Sequence, residues 1–217
     1  MLTLYGADLS APAIRVKFVL NALGVNFTYR PIKIREGENK SEWFLKIHPA
    51  GKIPAIDDDG FTLFESGAIC KYLCRKHNSD LYPKDIKQSA LVDQWGDFAV
   101  IHVGGALGKV LYNRVFAPVI KVEVDERSLQ EGLNFLKRFL PIVDNQLSKS
   151  KYLATDKLTL ADISLLAFLD PAEAAQVDLT PYANIVRWRN ALKKTDFYQK
   201  THKEYGESLK GMTAQKS

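Results

Sequence analysis

The sequence predicts an α+β/α protein, with a mixed βαβαββα domain first and an all-helical domain after it. Over residues 1–78, short strand-like runs alternate with amphipathic helical segments, and a hairpin precedes the last of these helices. Beyond residue 86, apolar residues recur only at the three- and four-residue steps of helices. Turn-forming residues at 79–86 make the predicted linker, so the helical domain covers residues 87–217.

The first strand is predicted at residues 2–5, where apolar and polar residues alternate. A loop at 6–10 leads to a helix that starts with Ala-Pro at residues 11–12, because proline suits the first turn of a helix. Gly24 ends this helix, and a second strand follows over residues 25–34. A strand, helix and strand in this order predict a parallel pair with a right-handed crossover.

A hairpin and a helix start follow a short predicted helix over residues 41–47. An apolar run ending at Ile56, an acidic turn at 57–60 and a second run at 61–64 predict a tight antiparallel hairpin. Glu-Ser-Gly at 65–67 then opens an amphipathic helix. The strand therefore delivers an acid and a hydroxyl to a helix N-terminus, where free N–H groups and the helix dipole favour a bound carboxylate.

Pro54 lies inside the first strand of this hairpin, where it cannot donate a ladder hydrogen bond. An ordinary trans proline at a sheet edge is one explanation. A cis bond after Ile53 is the other, and it would turn the Ile53 backbone outward toward a peptide-like ligand. The residue pattern alone leaves both open.

The second domain is predicted from helical periodicity over residues 87–115, 126–147, 181–192 and 197–204, with a frayed tail at 206–217. Between these helices, Thr159 and Asp162 form a capping box, and Leu158 and Ile163 bracket it as a hydrophobic staple. We expect the box to start a buried helix and to serve folding rather than chemistry.

Composition and charge exclude several classes of protein. Of the 217 residues, 46% are hydrophobic and 25% are charged, which is typical of a soluble protein with a substantial core. The net charge of +5 divides into +3 over residues 1–78 and +2 over the rest, without a long basic run, so we expect no nucleic-acid partner. No apolar run approaches the roughly 20 residues of a membrane span, and residues 1–6 do not resemble a secretory signal. We therefore expect a cytoplasmic protein without a membrane partner.

Cysteine and histidine are sparse. Cys70 and Cys74 lie four residues apart on one predicted helix, a spacing that is neither the usual redox motif nor a usual zinc spacing. We expect them to be reduced core residues. The histidines are scattered and form no cluster at ligand spacing, so no metal site is predicted: His48, His77, His102 and His202.

Two ordered motifs resemble the glutathione transferase family. They are Pro49-Ala-Gly-Lys-Ile-Pro-Ala55 and Leu63-Phe-Glu-Ser-Gly-Ala-Ile69. The resemblance implies a thioredoxin-like first domain with a cis proline, and an enzyme that joins the glutathione thiolate to small hydrophobic electrophiles. It also implies a symmetric homodimer, with glutathione as co-substrate and no cofactor.

Another stretch resembles the serine-type transferases, especially the phi and theta-related classes. It is Tyr5-Gly-Ala-Asp-Leu-Ser10, followed by Arg15-Val16. In those enzymes the serine donates a hydrogen bond to the glutathione sulfur, so the resemblance implies a catalytic role for Ser10. Two alternatives stay open: Ser10 is only the N-cap of the first helix, or Tyr5 is the donor, as in the tyrosine-type classes.

The resemblance also implies which residues hold the rest of glutathione. Glu65 and Ser66 would hold the γ-glutamyl amine and carboxylate, and the Ile53 main chain, before Pro54, would pair with the cysteinyl backbone. The glycyl carboxylate would meet three residues: Asn39, Lys40 and Lys52. Position 52 often carries glutamine in phi-like members, and for both lysines a place on the solvated surface is the open alternative.

An apolar electrophile pocket is implied between Ser10 and the first long helix of the second domain. Its candidate lining residues are Leu107, Leu111, Tyr112 and Phe116. Asp97 on the same helix is a candidate for reaching the ligand of a partner subunit. Two other functions stay open: a non-catalytic binding module with this fold, and a glutathione-dependent peroxidase or isomerase.

Overall fold

A four-stranded mixed sheet forms the centre of the first domain. In this computed structural model, which describes residues 1–201, the strands are β1 (Leu2–Gly6), β2 (Thr28–Pro31), β3 (Ala55–Asp58) and β4 (Phe61–Phe64). Their order in the sheet is β2-β1-β3-β4, with β1 parallel to β2 and the other pairs antiparallel. The predicted parallel pair and hairpin are therefore present.

Three helices cover the two faces of this sheet. They are α1 (Ala11–Ala22), α2 (Glu42–Leu45) and α3 (Ser66–Lys76), and two 3-10 turns, Ile34–Glu36 and Glu38–Lys40, precede α2. Because successive strand residues point to opposite faces, Leu4 joins the large core together with α1 and α3. Tyr5 joins a smaller cluster with Phe44 of α2 on the other face.

The second strand is shorter than the predicted residues 25–34. Its ladder ends where Pro31 pairs with Gly6. Just beyond it, the Lys33 backbone N–H donates to the Glu38 carboxylate at 2.8 Å, and the chain turns back into the 3-10 turns. The strand prediction was wrong at both ends of that range, because alternation in sequence does not show where a ladder starts and stops.

Helices alone make up the second domain. A continuous helical rod contains α4 (Ile86–Asp97), α5 (Gly105–Leu111) and α6 (Ala117–Ile120), joined by π-helical turns at Phe98–Gly104 and Tyr112–Phe116. The helices α7 (Glu126–Lys149), α8 (Leu160–Leu169), α9 (Ala183–Lys193) and α10 (Asp196–Thr201) follow it. Among residues 1–201, no helix is long and apolar enough to cross a membrane. In the same range, no three His, Cys, Asp or Glu side chains come together as a metal site would require.

The predicted helices are present with shifted ends. The predicted range 87–115 falls within the longer rod, and the last predicted helix agrees as far as Thr201. His202 and the predicted tail at 206–217 lie outside the described residues. The α+β/α fold class is confirmed.

Helix α8 connects the two domains from inside the core. All its residues except Phe168 are buried, and it packs against α1 of the first domain and α4 of the second. The predicted capping box starts it, with the Thr159 backbone N–H donating to the Asp162 carboxylate at 3.0 Å. This box therefore fixes the start of the helix against which both domains pack.

Both cysteines are free thiols inside the core of the first domain. Burial raises the pKa of Cys70 to about 11 and the pKa of Cys74 to about 12. Thiols of this kind stay protonated at neutral pH and are poor nucleophiles. The expectation of buried core cysteines is confirmed.

Helices α5 and α7 approach so closely at Gly132 that a side chain would not fit. A Cβ at this position would lie 2.8 Å from the Ala106 carbonyl oxygen and 3.0 Å from Val110 Cγ2. We expect Gly132→Ala to destabilise the protein by about 1–3 kcal/mol, because the two helices would have to separate. Gly105→Ala is the matched control. It has no atom near its Cβ position and should stabilise the helix by roughly 0.5–1 kcal/mol.

Urea unfolding of both variants measures the two free-energy changes. Equal changes in the two variants would contradict the close contact between α5 and α7.

Candidate active site

Three chain segments meet at one edge of the sheet. Tyr5 in β1 pairs with Ala55 in β3, and Ala55 pairs with Phe64 in β4. Three segments adjoin these pairs at the same end of the strands. They are the loop after β1 that ends at Ser10, the Ile53–Pro54 turn before β3, and Glu65 after β4. The β-ladder thus brings together residues from three distant parts of the sequence.

The turn before β3 has an unusual backbone. The peptide bond between Ile53 and Pro54 is cis, so the cis alternative is correct. Ile53 lies before the ladder, which begins at Ala55, and it lines the cavity that Ser10 also lines. The Ile53 main chain is therefore available at the sheet edge beside the Ser10 loop.

Ser10 is the N-cap of α1 and also faces a cavity. Its Oγ accepts a hydrogen bond from the Ala13 backbone N–H at 3.4 Å, which is long for such a bond. As acceptor in this bond, the hydroxyl keeps its own proton for another acceptor. Capping and hydrogen-bond donation to a ligand are therefore compatible at Ser10.

Tyr5 lies on the opposite face of the sheet from α1. Its ring packs against Trp43 at 5.9 Å and Phe44 at 6.0 Å between ring centroids. Burial, and then the negative charge of Asp57, raises the pKa of Tyr5, which weakens its phenol as a hydrogen-bond donor. Tyr5 is not among the residues that line the Ser10 cavity. This placement favours packing over the alternative donor role.

Glu65 and Ser66 lie at the start of α3. Glu65 is exposed and has a φ of 68°, a backbone conformation that is strained for a residue other than glycine. Ser66 is the first residue of the helix and is buried, with 9% of its surface exposed. The acid and the hydroxyl therefore lie together at the positive end of the helix dipole, as the sequence predicts.

The sequence names His48 only among the scattered histidines that form no metal-ligand cluster. Its ring lies against Phe64, with 4.6 Å between ring centroids, and Nδ1 is buried with no hydrogen-bond partner in the described part of the chain. Burial lowers the pKa of His48, so the ring is neutral at neutral pH. Its position supports the strand end that leads into Glu65.

A hydrogen bond between Asn39 and Gly51 joins the two loops that carry the residues predicted to contact the glycyl carboxylate. We call this pair the Asn39 bracket. The Asn39 side-chain amide donates to the Gly51 carbonyl at 2.8 Å. Gly51 has a φ of 58°, and a Cβ there would lie 2.6 Å from the Asn39 carbonyl oxygen. Lys40 and Lys52, each adjacent to one residue of this bracket, are exposed. The structure thus brings the three predicted residues to neighbouring loops, with Asn39 occupied in holding the loops together.

A largely apolar cavity of about 650 Å³ opens beside Ser10. We call it the Ser10 cavity. Its lining comprises Ala7, Asp8, Leu9, Ser10, residues 32–36, Ile53, Tyr112, Phe116 and Ile120. Tyr112 and Phe116, one helical turn apart, thus lie where the resemblance implies the electrophile.

Leu107 and Leu111 do not line this cavity, so that part of the pocket prediction needs correction. Both are buried in the main core, with 1% and 8% of their surfaces exposed. Helical spacing places Leu107 and Leu111 on one face and Tyr112 and Phe116 on another. The sequence pattern does not show which of the two faces meets the first domain.

Sequence reasoning missed the 3-10 turn at Ile34–Glu36 as a wall of the Ser10 cavity. The predicted second strand ends at residue 34, and no element is predicted for residues 35–36. An apolar residue between charged neighbours, Ile34, could have indicated that this segment lines a cavity. Only the turn found in the structure directs this segment toward α6.

A second, smaller cavity of about 190 Å³ lies between α3 and α4, and we call it the interdomain cavity. Its polar lining residues are Arg15, Glu65, Ser66, Lys71, Asp93 and Asp97. Asp97, which was a candidate for a partner subunit's ligand, therefore faces the same cavity as Glu65 and Ser66 of its own chain. Arg15 was noted in the sequence only as part of a motif.

Comparison with known proteins agrees with the family resemblance over most of the chain. The family model described as glutathione S-transferase, N-terminal domain, matches residues 1–75, and the C-terminal domain model of the same family matches residues 105–195. The chain belongs to the glutathione S-transferase family. The chain is therefore a glutathione transferase.

Plant enzymes are among the relatives of this glutathione transferase. It is 34% identical over 185 residues to a probable glutathione S-transferase, GSTF2, from Oryza sativa subsp. japonica, covering 84% of each chain. It is 32% identical over 203 residues to glutathione S-transferase 1 from Zea mays, covering 91% of this chain and 94% of the relative. The prediction of a glutathione transferase is confirmed.

Solved structures show the same fold. Glutathione transferase F2 from Populus trichocarpa matches with a TM-score of 0.87 and 30% identity, over 97% of this chain and all of that chain. Glutathione S-transferase-I, solved with the ligand lactoylglutathione, matches with a TM-score of 0.85 and 31% identity, over 92% and 97% of the two chains. The thioredoxin-like first domain and the all-helical second domain are thus those of the family.

Proposed function

We propose that this transferase is a serine-type, phi-like enzyme in which Ser10 activates the thiol of glutathione. The thiolate then attacks a small hydrophobic electrophile held in the Ser10 cavity. One observation supports this most directly. The Ser10 loop, the cis Ile53–Pro54 turn and the Glu65–Ser66 helix start converge at one sheet edge, next to an apolar cavity.

The chemistry requires the charged form of a thiol whose ordinary pKa is about 8.5. A hydrogen bond donated to the thiolate lowers this pKa, and the N-terminus of α1 adds a favourable positive field. Ser10 is the N-cap of this helix of 12 residues and keeps its own proton available. Its hydroxyl would stabilise the thiolate before the attack on the electrophile.

The rest of glutathione would lie along the sheet edge. The Ile53 main chain, positioned by Pro54, would pair with the cysteinyl backbone, and Glu65 and Ser66 would bind the γ-glutamyl amine and carboxylate. The exposed Lys40 and Lys52 would meet the glycyl carboxylate. The Asn39 bracket would keep those two lysines near each other.

The aromatic wall formed by Tyr112 and Phe116 would set the affinity for the electrophile. Both side chains retain exposed surface on the Ser10 cavity. We expect Phe116→Ala to raise the KM for an apolar aryl halide about tenfold, because truncating the ring removes roughly 1–2 kcal/mol of apolar contact with the bound halide. The KM for glutathione should stay within about twofold of the wild-type value, because Phe116 is not one of the residues proposed to bind glutathione.

Ile142→Ala provides the control for this measurement. Ile142 is a similarly apolar, 43% exposed residue on α7 and lies outside the cavity. Steady-state kinetics, with glutathione and the halide varied in turn, give the KM of each variant for each substrate. A Phe116→Ala variant with an unchanged KM for the halide would contradict the assignment of this cavity to the electrophile.

Calorimetry with glutathione, followed by an activity panel, tests the proposed function. We expect saturable binding of glutathione and conjugation of an aryl halide. Binding without turnover of any substrate would indicate a non-catalytic module. Turnover of hydroperoxides or unsaturated acids without conjugation would indicate the peroxidase or isomerase alternative.

A symmetric homodimer in the cytoplasm completes the proposal, and both features rest on the family relationship. Analytical ultracentrifugation should give the mass of two chains of 24.4 kDa at micromolar concentration. A monomer under these conditions would contradict the dimer without affecting the proposed chemistry.

A further inference from the structure

One wall of the Ser10 cavity carries most of the charge in its lining. The charged residues of the lining are Asp8, Lys33, Arg35 and Glu36. The last three lie on or beside the 3-10 turn at Ile34–Glu36, whereas the first lies in the loop before α1. The rest of the lining is largely apolar. A charge that is left unbalanced in this set would therefore act on any ligand in the cavity.

Three of these four charges are already paired. The Asp8 carboxylate lies 2.7 Å from Lys17 Nζ, and Lys33 Nζ lies 3.1 Å from the Glu36 carboxylate. Arg35 forms no hydrogen bond and no ion pair with any other residue of the range 1–201. Within the described part of the chain, the positive charge of Arg35 is thus the unbalanced charge of this cavity.

The turn that carries Arg35 has a fixed backbone. The Glu38 carboxylate accepts a hydrogen bond from the Lys33 N–H at 2.8 Å on one side of Arg35. The Gly37 N–H donates to the Ile34 carbonyl at 3.1 Å and closes the turn on the other side. A ligand would therefore have to order only the side chain of Arg35, which lowers the entropic cost of using it.

The other walls of the cavity suit an apolar body. Three residues of the lining are large, apolar and exposed: Ile34, Tyr112 and Ile120 have 47%, 46% and 44% of their surfaces accessible. Covering such surface with a ligand is favourable, because apolar surface leaves water. The volume of about 650 Å³ is sufficient for a substituted aromatic ring. The lining as a whole therefore fits an apolar ligand with one anionic group.

The position of that anionic group follows from the charges on either side. The thiolate at Ser10 needs the reacting carbon beside it and repels a second negative charge. Arg35 belongs to a different segment, the turn after β2. Its guanidinium has the planar fork of donors that binds a carboxylate through two parallel hydrogen bonds. A carboxylate is thus best placed at the end of the electrophile away from the reacting carbon.

We propose that Arg35 binds an anionic group of the electrophile, so that this transferase prefers apolar electrophiles that carry a carboxylate opposite the reacting carbon. Arg35 is then a specificity-determining residue, whereas Ser10 acts on the thiol. The proposal rests on the proposed function, because it concerns the second substrate of the same reaction.

Two aryl chlorides of the same shape test this preference, 4-chloro-3,5-dinitrobenzoate and 4-chloro-3,5-dinitrobenzamide. With either one, the glutathione sulfur forms a bond to the ring carbon, chloride leaves with the electron pair of the C–Cl bond, and the thiol proton goes to solvent. The two differ in charge at the group opposite the reacting carbon. Their difference in intrinsic reactivity cancels when the ratio of their kcat/KM values, benzoate over benzamide, is compared between protein variants.

Arg35→Gln should lower this ratio about five- to tenfold relative to the wild type, by lowering kcat/KM for the benzoate. The value for the benzamide should stay within about twofold. The effect is smaller than for a buried pair, because Arg35 is exposed and water screens part of the attraction. Arg35→Glu should lower the ratio further, since it replaces attraction with repulsion. High salt should lower the wild-type ratio toward that of Arg35→Gln and change the ratio of this variant little.

Two further variants separate a local charge from the overall charge of the protein. Glu36→Gln removes the partner of Lys33 and should raise the ratio. Arg138→Gln removes one positive charge from an exposed residue of α7 outside the Ser10 cavity, and it should leave the ratio unchanged.

The possible results distinguish the role of Arg35 from the proposed function. An unchanged ratio in Arg35→Gln and Arg35→Glu would overturn the role of Arg35 alone. An equal loss with both substrates would also overturn it, because it would indicate a structural effect on the turn. A wild type that conjugates neither chloride would overturn the proposed function and the role of Arg35 with it.

Discussion

Replacing Ser10 with alanine is expected to lower kcat/KM for conjugation about 10- to 100-fold, while glutathione still binds. The reason is the loss of one charge-assisted hydrogen bond to the thiolate, which is worth roughly 1.5–3 kcal/mol. The pKa of the bound thiol should therefore rise by about one to two units toward its ordinary value, since one unit corresponds to 1.36 kcal/mol. The ultraviolet absorbance of the bound thiolate, followed against pH, measures this change directly.

The sign of the pH effect follows from the pKa. A raised thiol pKa leaves less thiolate at neutral pH, so the rate of Ser10→Ala should keep rising with pH over a range in which the wild type is already level. The rates of the two proteins should therefore converge in alkaline solution. An unchanged pH profile together with an unchanged rate would show that Ser10 is not the donor.

The N-cap role of Ser10 needs its own control, because losing a cap costs about 1 kcal/mol of stability. Ser10→Gly removes the hydroxyl but is a better N-cap than alanine. Both variants should lose activity equally, whereas Ser10→Ala should unfold at the lower urea concentration. Activity that follows stability in these two variants would point to capping instead of catalysis.

Replacing Asp162 with alanine is expected to destabilise the protein by roughly 3–5 kcal/mol, the largest stability effect that we predict. The carboxylate accepts four hydrogen bonds in a fully buried site. The donors are the Leu153 backbone at 2.8 Å, the Thr159 backbone at 3.0 Å, and the Thr159 hydroxyl and Trp188 Nε1, each at 3.1 Å. Burial raises the pKa of Asp162, and the four donors stabilise its charged form.

Removing the carboxylate leaves several buried donors without partners. The loss of stability should therefore exceed the loss caused by removing an ordinary N-cap. Thr159→Ala removes one member of the same box and should cost only about 1 kcal/mol. Asp162→Asn keeps one acceptor oxygen and should fall between the two. Urea unfolding gives the three values, with Asp156→Ala as an exposed control expected within about 0.5 kcal/mol of the wild type. If Asp162→Ala lowered the free energy of unfolding no more than Thr159→Ala does, the result would contradict a buried hydrogen-bond network centred on Asp162.

The capping box shows what a local pattern can predict. Thr159 and Asp162 are three residues apart, so the geometry of a single helical turn fixes their contact. The structure adds Trp188 and Leu153, which lie 26 and nine residues away in sequence and donate to the same carboxylate. Such donors have no local signature, because tertiary packing alone brings them to the box.

The sequence by itself determined the order of the elements, the hairpin, the helix start at Glu65–Ser66 and the family. These follow from short-range rules: alternation of apolar residues, turn residues, and ordered motifs around Pro54 and Ser66. Only the tertiary structure decided which helix face meets the first domain, so Tyr112 and Phe116 reach the Ser10 cavity whereas Leu107 and Leu111 enter the core. It also decided that Arg15 is buried beside α3, with no counter-ion among residues 1–201. The physical reason is that burial and charge compensation depend on residues far apart in the chain, and helical spacing fixes which residues share a face without fixing what that face touches.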